Sequence, residues 1–146
     1  MTNAARGDIG ALVDLKPAIR PQNYADDTAD LDGTGVDTAP QGQEYNGATF
    51  HVQTNNGNAS DDFTFTVQES SDDGSSDTYA DLTDADGNAI TGQITGVDGS
   101  IEINVLGNIP HEKHLKLKLK NADATIGGTS TDISATATLG GKKFQS

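Results

Sequence analysis

Carboxylates dominate the side chains that could do chemistry. The chain carries 22 Asp and Glu against 9 Lys and Arg, a formal net charge of −13. Two stretches space their acids in the manner of a cation loop: Asp30, Asp32 and Asp37 in DLDGTGVD, and Asp84 and Asp86 in DADGN. Alternate carboxylates in such a loop converge on one cation, but a calcium loop of the EF-hand type also opens on an Asp and closes on a Glu. Aligning Gly33 with the loop glycine puts Thr28 and Ala39 at those two places, and aligning Gly87 puts Leu82 and Gln93 there. Both segments therefore read as Asp-Gly turns. No metal ligand and no cofactor is expected.

His51, His111 and His114 are the histidines. His111 and His114 would share one side of a helix, but Pro110 and the Leu/Lys alternation that follows put them on a loop entering a strand. There is no H-E-x-x-H, no G-x-S-x-G and no P-loop. Glycoside hydrolysis needs a specific pair of acids, and nothing singles one out. The chain has no Trp and only three Tyr to line a sugar site. Absence of cysteine removes thiolate metal sites, disulfides and cysteine nucleophiles. No catalytic residue is assigned, and the protein reads as a non-enzyme.

Lysines are the other cluster. Lys116, Lys118 and Lys120 alternate with Leu115, Leu117 and Leu119 in HLKLKLK. On a strand, alternate side chains share a face, so the three lysines form a positive stripe in an acidic protein. A solvated face or edge protection explains such a stripe, and so does a docking surface for an acidic partner.

The elements that carry these groups are strands. Ala48, Phe50 and Val52 alternate with polar residues, and so do Phe63, Phe65 and Val67, Ile101, Ile103 and Val105, and Ile133, Ala135, Ala137 and Leu139. Runs rich in Ser, Asp, Asn and Gly separate them. Seven or eight short strands are expected, one face of each apolar. That predicts an all-β fold, an antiparallel β-sandwich or jelly-roll-like domain. The clearest strand–turn–strand signal is Asp61–Leu82, with Ser70–Asp77 as its polar turn pointing to solvent or to a neighbouring subunit. No internal repeat suggests a solenoid.

Residues 1–43 differ in character. Ile9, Leu12, Val13 and Leu15 make an apolar patch, followed by Lys16-Pro17 and Arg20-Pro21. Ala11–Lys16 reads as a short strand or arm, or as a single helical turn. A polar stretch from Tyr24 to Tyr45 reads as a long loop, draped over the domain or held by a neighbour. The division expected is an extended N-terminal arm and loop, 1–43, and a β-sandwich, 44–146.

Composition narrows the partners. Nucleic-acid phosphates need a basic surface, and an anionic membrane repels this charge. No apolar run approaches the roughly 20 residues of a membrane span. The N-terminus lacks the unbroken apolar segment of a secretory signal. Neither nucleic acid nor membrane is expected as a direct partner, and synthesis in a cytoplasm is.

Several of these segments resemble one family. LKPAIRP (Leu15–Pro21), GTGVD (Gly33–Asp37), a strand ending in QESSDDG (Gln68–Gly74), a basic strand and a final GGK are similar to small structural proteins of tailed-phage heads, the decoration or cement proteins. The resemblance covers most of the chain. It departs at the basic strand, which is commonly of an Arg-aromatic-Arg type in the family and is HLKLKLK here. It implies a viral structural protein that binds the outside of the assembled head, stabilises the shell and resides on the outer surface of the virion, made in the host cytoplasm. The implied partners are the major capsid protein and further copies of itself, a trimer before a dimer. Residues expected at capsid or subunit contacts are Leu12, Val13, Leu15, Ile19 and Arg20 of the arm, and Lys116, Lys118 and Lys120 of the basic strand. The alternatives are a tail-tube or tail-completion protein, and a carbohydrate-binding adhesin-like module using exposed tyrosines such as Tyr79.

Overall fold

The computed structural model describes residues 13–25, 29–40 and 45–142. Ten strands run in chain order: β1 (Val13–Ala25), β2 (Leu31–Asp32), β3 (Val36–Asp37), β4 (Tyr45–Asn55), β5 (Asp62–Ser70), β6 (Ala80–Asp81), β7 (Thr91–Thr95), β8 (Gly99–Val105), β9 (His114–Thr125) and β10 (Ser130–Lys142). They form two sheets, every pairing antiparallel. The first is ordered β1-β10-β4-β8. In the second, β9 and β5 lie at the centre, β2 and β3 pair with β9, and β6 and β7 pair with β5. The antiparallel β-sandwich anticipated from the alternation is the architecture found.

One apolar face of each sheet supplies the core. Ile19, Phe50, Val52, Ile103, Val105, Ile133, Ala137 and Leu139 come from the first sheet. Phe63, Phe65, Val67, Ile94, Leu115, Leu117 and Leu119 come from the second. The Tyr24 ring meets Phe63 edge-on, centroids 6.3 Å apart. Burying each large side chain contributes about 1.5–3 kcal/mol. The Leu/Lys alternation of β9 thus does two things at once: it sends three leucines inward and holds three lysines on the opposite face.

Residues 13–25 are extended, as expected of an arm, but they are a full strand of the first sheet. β1 pairs with β10 from Val13 opposite Gly140 to Ala25 opposite Ser130, and the register shifts around Ile19. Pro17 and Pro21 cannot donate to a ladder, which suits them to this edge position. The shifts let the neighbours Ala18 and Ile19 both turn inward. Leu12 and the earlier part of the anticipated arm lie outside the described residues, as does the side chain of Val13.

Of the polar stretch after β1, the described residues 29–40 form a strap draped over the sandwich and anchored to it. Leu31 and Val36 are buried against β9. Between them Gly33 and Thr34 tie the two sheets together. The Gly33 amide donates to the Leu117 carbonyl of β9 at 2.8 Å, and the Thr34 amide to the Ala18 carbonyl of β1 at 2.7 Å. A β-carbon on Gly33 would stand 2.6 Å from the Ala18 oxygen and 2.7 Å from the Leu117 oxygen. Both are main-chain atoms, so the position requires glycine for space.

Candidate functional site

Strand β9 holds Lys116, Lys118 and Lys120 on one face, as its alternation predicts. The stripe meets carboxylates of its own chain. Lys116 Nζ lies 2.9 Å from Asp32 Oδ1; Lys118 Nζ lies 3.5 Å from both Asp30 Oδ2 and Asp32 Oδ1; Lys120 Nζ lies 3.1 Å from Asp81 Oδ2. Asp30 and Asp32 arrive on the strap at β2, and Asp81 on β6. Three ammonium groups face three carboxylates, leaving no excess of positive charge. Burial pushes the Asp32 carboxyl up, but the hydrogen bonds and charges of Lys116 and Lys118 outweigh it and hold Asp32 below its ordinary value. Asp81 is held low first by the Gln68 amide and then, against some burial, by Lys120. Lys120 is raised in turn by its bond to Asp81.

Tyr79 caps the ladder. The Lys116 ammonium sits 4.4 Å from its ring centroid, and its hydroxyl donates to Asp73 Oδ1 at 2.7 Å. Burial and that bond raise the phenol above its ordinary value. An open dish of about 430 Å³, lined by Asp32, Gly35, Tyr79, Lys116 and Lys118 among others, lies over this cluster. Tyr79 is therefore no free aromatic platform. Tyr24 and Tyr45 are buried. Among the described residues no tyrosine ring is displayed for stacking on a sugar.

The turn after β5 is organised by its own side chains. Asp72 accepts from the Ser76 and Asp77 amides at 2.8 and 3.0 Å, Asp77 from the Ser71 amide at 2.7 Å, and the Ser70 hydroxyl donates to the Asp77 carbonyl at 2.6 Å. The Asp77 amide, with smaller help from its neighbours, holds Asp72 low. In the other Asp-Gly segment, Asp84 Oδ1 accepts from the Asp86 and Asn88 amides, both at 2.9 Å. These acids serve as turn formers. Among the described residues no group of three His, Asp or Glu converges as a metal site.

The histidines are dispersed. His51 Nδ1 is 3.5 Å from Glu102 on the outer face of the first sheet, and His111 Nδ1 meets the Glu112 carbonyl at 2.7 Å. His114 Nδ1 is buried without a hydrogen bond.

The other residues expected at contacts lie on β1, in the opposite sheet. Ile19 is buried in the core. Leu15 is 65% exposed, and Arg20 is exposed with no ion pair among the described residues. Of the cations assigned to contacts, Arg20 is thus the one without a carboxylate partner among the described residues.

Sequence reasoning missed Asp61. Its carboxylate is 2% exposed, with Oδ2 accepting from the Asn58 amide at 2.8 Å and the Thr131 hydroxyl at 2.7 Å, and Oδ1 from the Gly127 amide at 2.7 Å. The Asp61 carbonyl also takes the Gly96 amide at 3.0 Å. One residue therefore ties together the turns at 56–61, 96–98 and 126–129. Only its position next to a strand in an Asn-rich turn hinted at capping.

No protein-family model matches the chain, and no curated protein does. Solved structures with a similar strand layout include infectious bursal disease virus Gx strain, at TM-score 0.47 and 11% identity over 87% of this chain and 31% of that one. The infectious bursal disease virus VP2 subviral particle gives TM-score 0.43 and 12% identity over 87% and 31%. Deformed wing virus carrying the GFP gene gives TM-score 0.43 and 8% identity over 92% and 46%. The chain spans less than half the length of each of these. At TM-scores of this size the likenesses carry no argument about function.

Proposed function

We propose that this chain is a capsid decoration protein that binds the outside of a tailed-phage head and stabilises the shell. Its partners in this reading are the major capsid protein and further copies of itself. The observation that supports it is the disposition of LKPAIRP, one of the segments that resemble the family pattern. Its Ala18 and Ile19 are core residues, while Leu15 and Arg20 of the same strand stand exposed. An edge strand with an exposed leucine and an exposed arginine, the latter with no ion pair among the described residues, offers a contact surface. The lysine ladder, neutralised within the chain, is a weaker candidate for that contact. A protein of this kind works by repetition: interfaces of a standard size, about 1,600 Å² each, reinforce a symmetric shell through their number.

The test is occupancy on heads that lack the protein. Purified protein is mixed with such heads, sedimented, and quantified on the pellet. Leu15→Asp and Arg20→Glu are expected to lower occupancy, and saturated heads to survive heating that opens bare ones. Lys118→Ala is expected to leave occupancy unchanged. No binding to heads by folded wild-type protein would refute the reading.

A further inference from the structure

We infer that strand β8 pairs edge to edge with β8 of a second copy, joining two four-stranded sheets into one of eight. The sandwich has several edges, and nearly all are blunted. β1 carries Pro17 and Pro21, two register shifts, and the Asp14–Lys16 ion pair at 3.2 Å. On the second sheet β2, β3 and β6 are two residues long each, and β7 is five. Prolines, bulges, charges and shortness are the usual devices that stop a strand edge from capturing another strand. β8 has no proline and no bulge and is not short, and its one charged side chain is Glu102. Its seven residues, GSIEINV, pair with β4 in unbroken register from Gly99 to Val105. No strand pairs its other side among the described residues. Its core-facing side chains Ile103 and Val105 are already buried, so the open edge offers main-chain hydrogen bonds above all.

The occupant that fits is the same strand. Residues opposite each other in an antiparallel pair point to the same face, so a two-fold copy aligns one residue of the strand with itself, for example Glu102 with Glu102 or Ile101 with Ile101. The first sets like charges against each other, which destabilises a cross-strand pair. The second sets Glu102 opposite Ser100 of the partner subunit and Ile103 opposite Gly99 of the partner subunit, with no like charges in register. The strand is also flanked by two exposed apolar side chains, Val97 at 51% and Leu106 at 58%. Two copies of an acidic chain repel over the rest of their surfaces, so this dimer tightens as salt screens that repulsion. The pairing concerns the free protein and stands apart from the capsid reading.

The experiment uses purified full-length protein, with no shell. Sedimentation equilibrium is expected to find a monomer–dimer equilibrium that shifts toward dimer with added salt. Ser100→Glu, which sets like charges against Glu102 of the partner subunit at both symmetric positions, is expected to raise the dissociation constant roughly tenfold. The chain has no cysteine, so cross-links read the register directly. Opposed residues lie within disulfide reach. The double variant Ser100→Cys/Glu102→Cys is expected to give a covalent dimer on a non-reducing gel, and Glu102→Cys alone to give none. Should the glutamate variant fail to fold by circular dichroism, the cysteine pair decides. A wild type that stays monomeric at high salt, a trimer, or cross-linking through Glu102→Cys alone overturns the proposed pairing.

Discussion

Replacing Asp61 should destabilise the domain far more than replacing any of its other acids. Its carboxylate is almost wholly buried and satisfies the Asn58 amide, the Gly127 amide and the Thr131 hydroxyl. Asp61→Ala leaves those three donors without an acceptor. A stranded buried donor costs about 1–3 kcal/mol. With water recovering part of that, the expected loss is about 3–5 kcal/mol, a large share of the roughly 5–15 kcal/mol that holds a domain folded. Asp61→Asn is the finer probe. Its amide oxygen can serve Asn58 and Thr131 from the Oδ2 position, but its NH₂ then faces the Gly127 N–H, so a loss of about 1.5–3 kcal/mol is expected. The assay is urea unfolding followed by far-ultraviolet circular dichroism. Acid supplies a second readout. Burial pushes the Asp61 carboxyl up, but hydrogen bonds from Thr131, Asn58 and Gly127 outweigh it and keep the folded pKa below the ordinary value. The folded state therefore binds this proton more weakly than the unfolded chain does. The stabilisation is complete above the unfolded pKa of about 3.9 and drains away as pH falls through the folded one. The stability gap between wild type and Asp61→Asn should hold steady above about pH 5 and shrink as pH falls below it. A loss below about 1 kcal/mol for Asp61→Ala, or a gap that widens on acidification, would refute the assignment of Asp61 as the hub of three turns.

Gly33→Ala should cost about 1–3 kcal/mol or more in urea unfolding, since its β-carbon meets main-chain oxygens of both sheets. Gly140→Ala, with nothing near its β-carbon, should stay within about 0.5 kcal/mol of wild type. Lys118→Ala should cost under about 1 kcal/mol by thermal unfolding despite its two carboxylate partners, because exposed ion pairs contribute little. Lys116→Ala should cost more than Lys118→Ala, since it also uncovers the Tyr79 ring. Asp72→Ala should leave global stability nearly intact yet speed hydrogen exchange at the Ser76 and Asp77 amides, which its carboxylate caps; unchanged exchange there would remove its role in the turn.

Fold class was legible because alternation survives wherever a strand is long and one-sided. β4, β5, β8, β9 and β10 each write their inward face into the chain as Phe50 and Val52, Phe63 and Phe65, Ile101 and Ile103, the β9 leucines, and Ile133 to Leu139. The strap was not legible. Leu31 and Val36 sit in two-residue strands, too short for any period, and Gly33 looks like any turn glycine until two carbonyls close on it. Interrupted alternation similarly limited the reading of β1 to a short strand or arm at Ala11–Lys16, because Pro17, Pro21 and the shifts around Ile19 break the pattern that pairing with β10 restores. The lysine stripe was visible as a stripe, but its neutralisation depends on Asp30, Asp32 and Asp81, which lie far from it in the chain and reach it only through the fold. Asp61 shows the same limit: a carboxylate among many, distinguished by burial alone.

The position of β10 bears on how the chain can be made. It is the last described strand in sequence, yet it lies inside the first sheet, between β1 and β4. As the chain leaves a ribosome, β1 and β4 are complete while the strand that joins them is still unsynthesised. Until it arrives, each presents an open edge where the finished molecule has a ladder, and neither can pair across the gap. Closure of the first sheet therefore waits for β10 and couples the first and last described strands, and topologies of this kind fold slowly. Shortening the chain by one strand at this end would not trim the sandwich but split it, leaving intermediates whose bare edges favour aggregation.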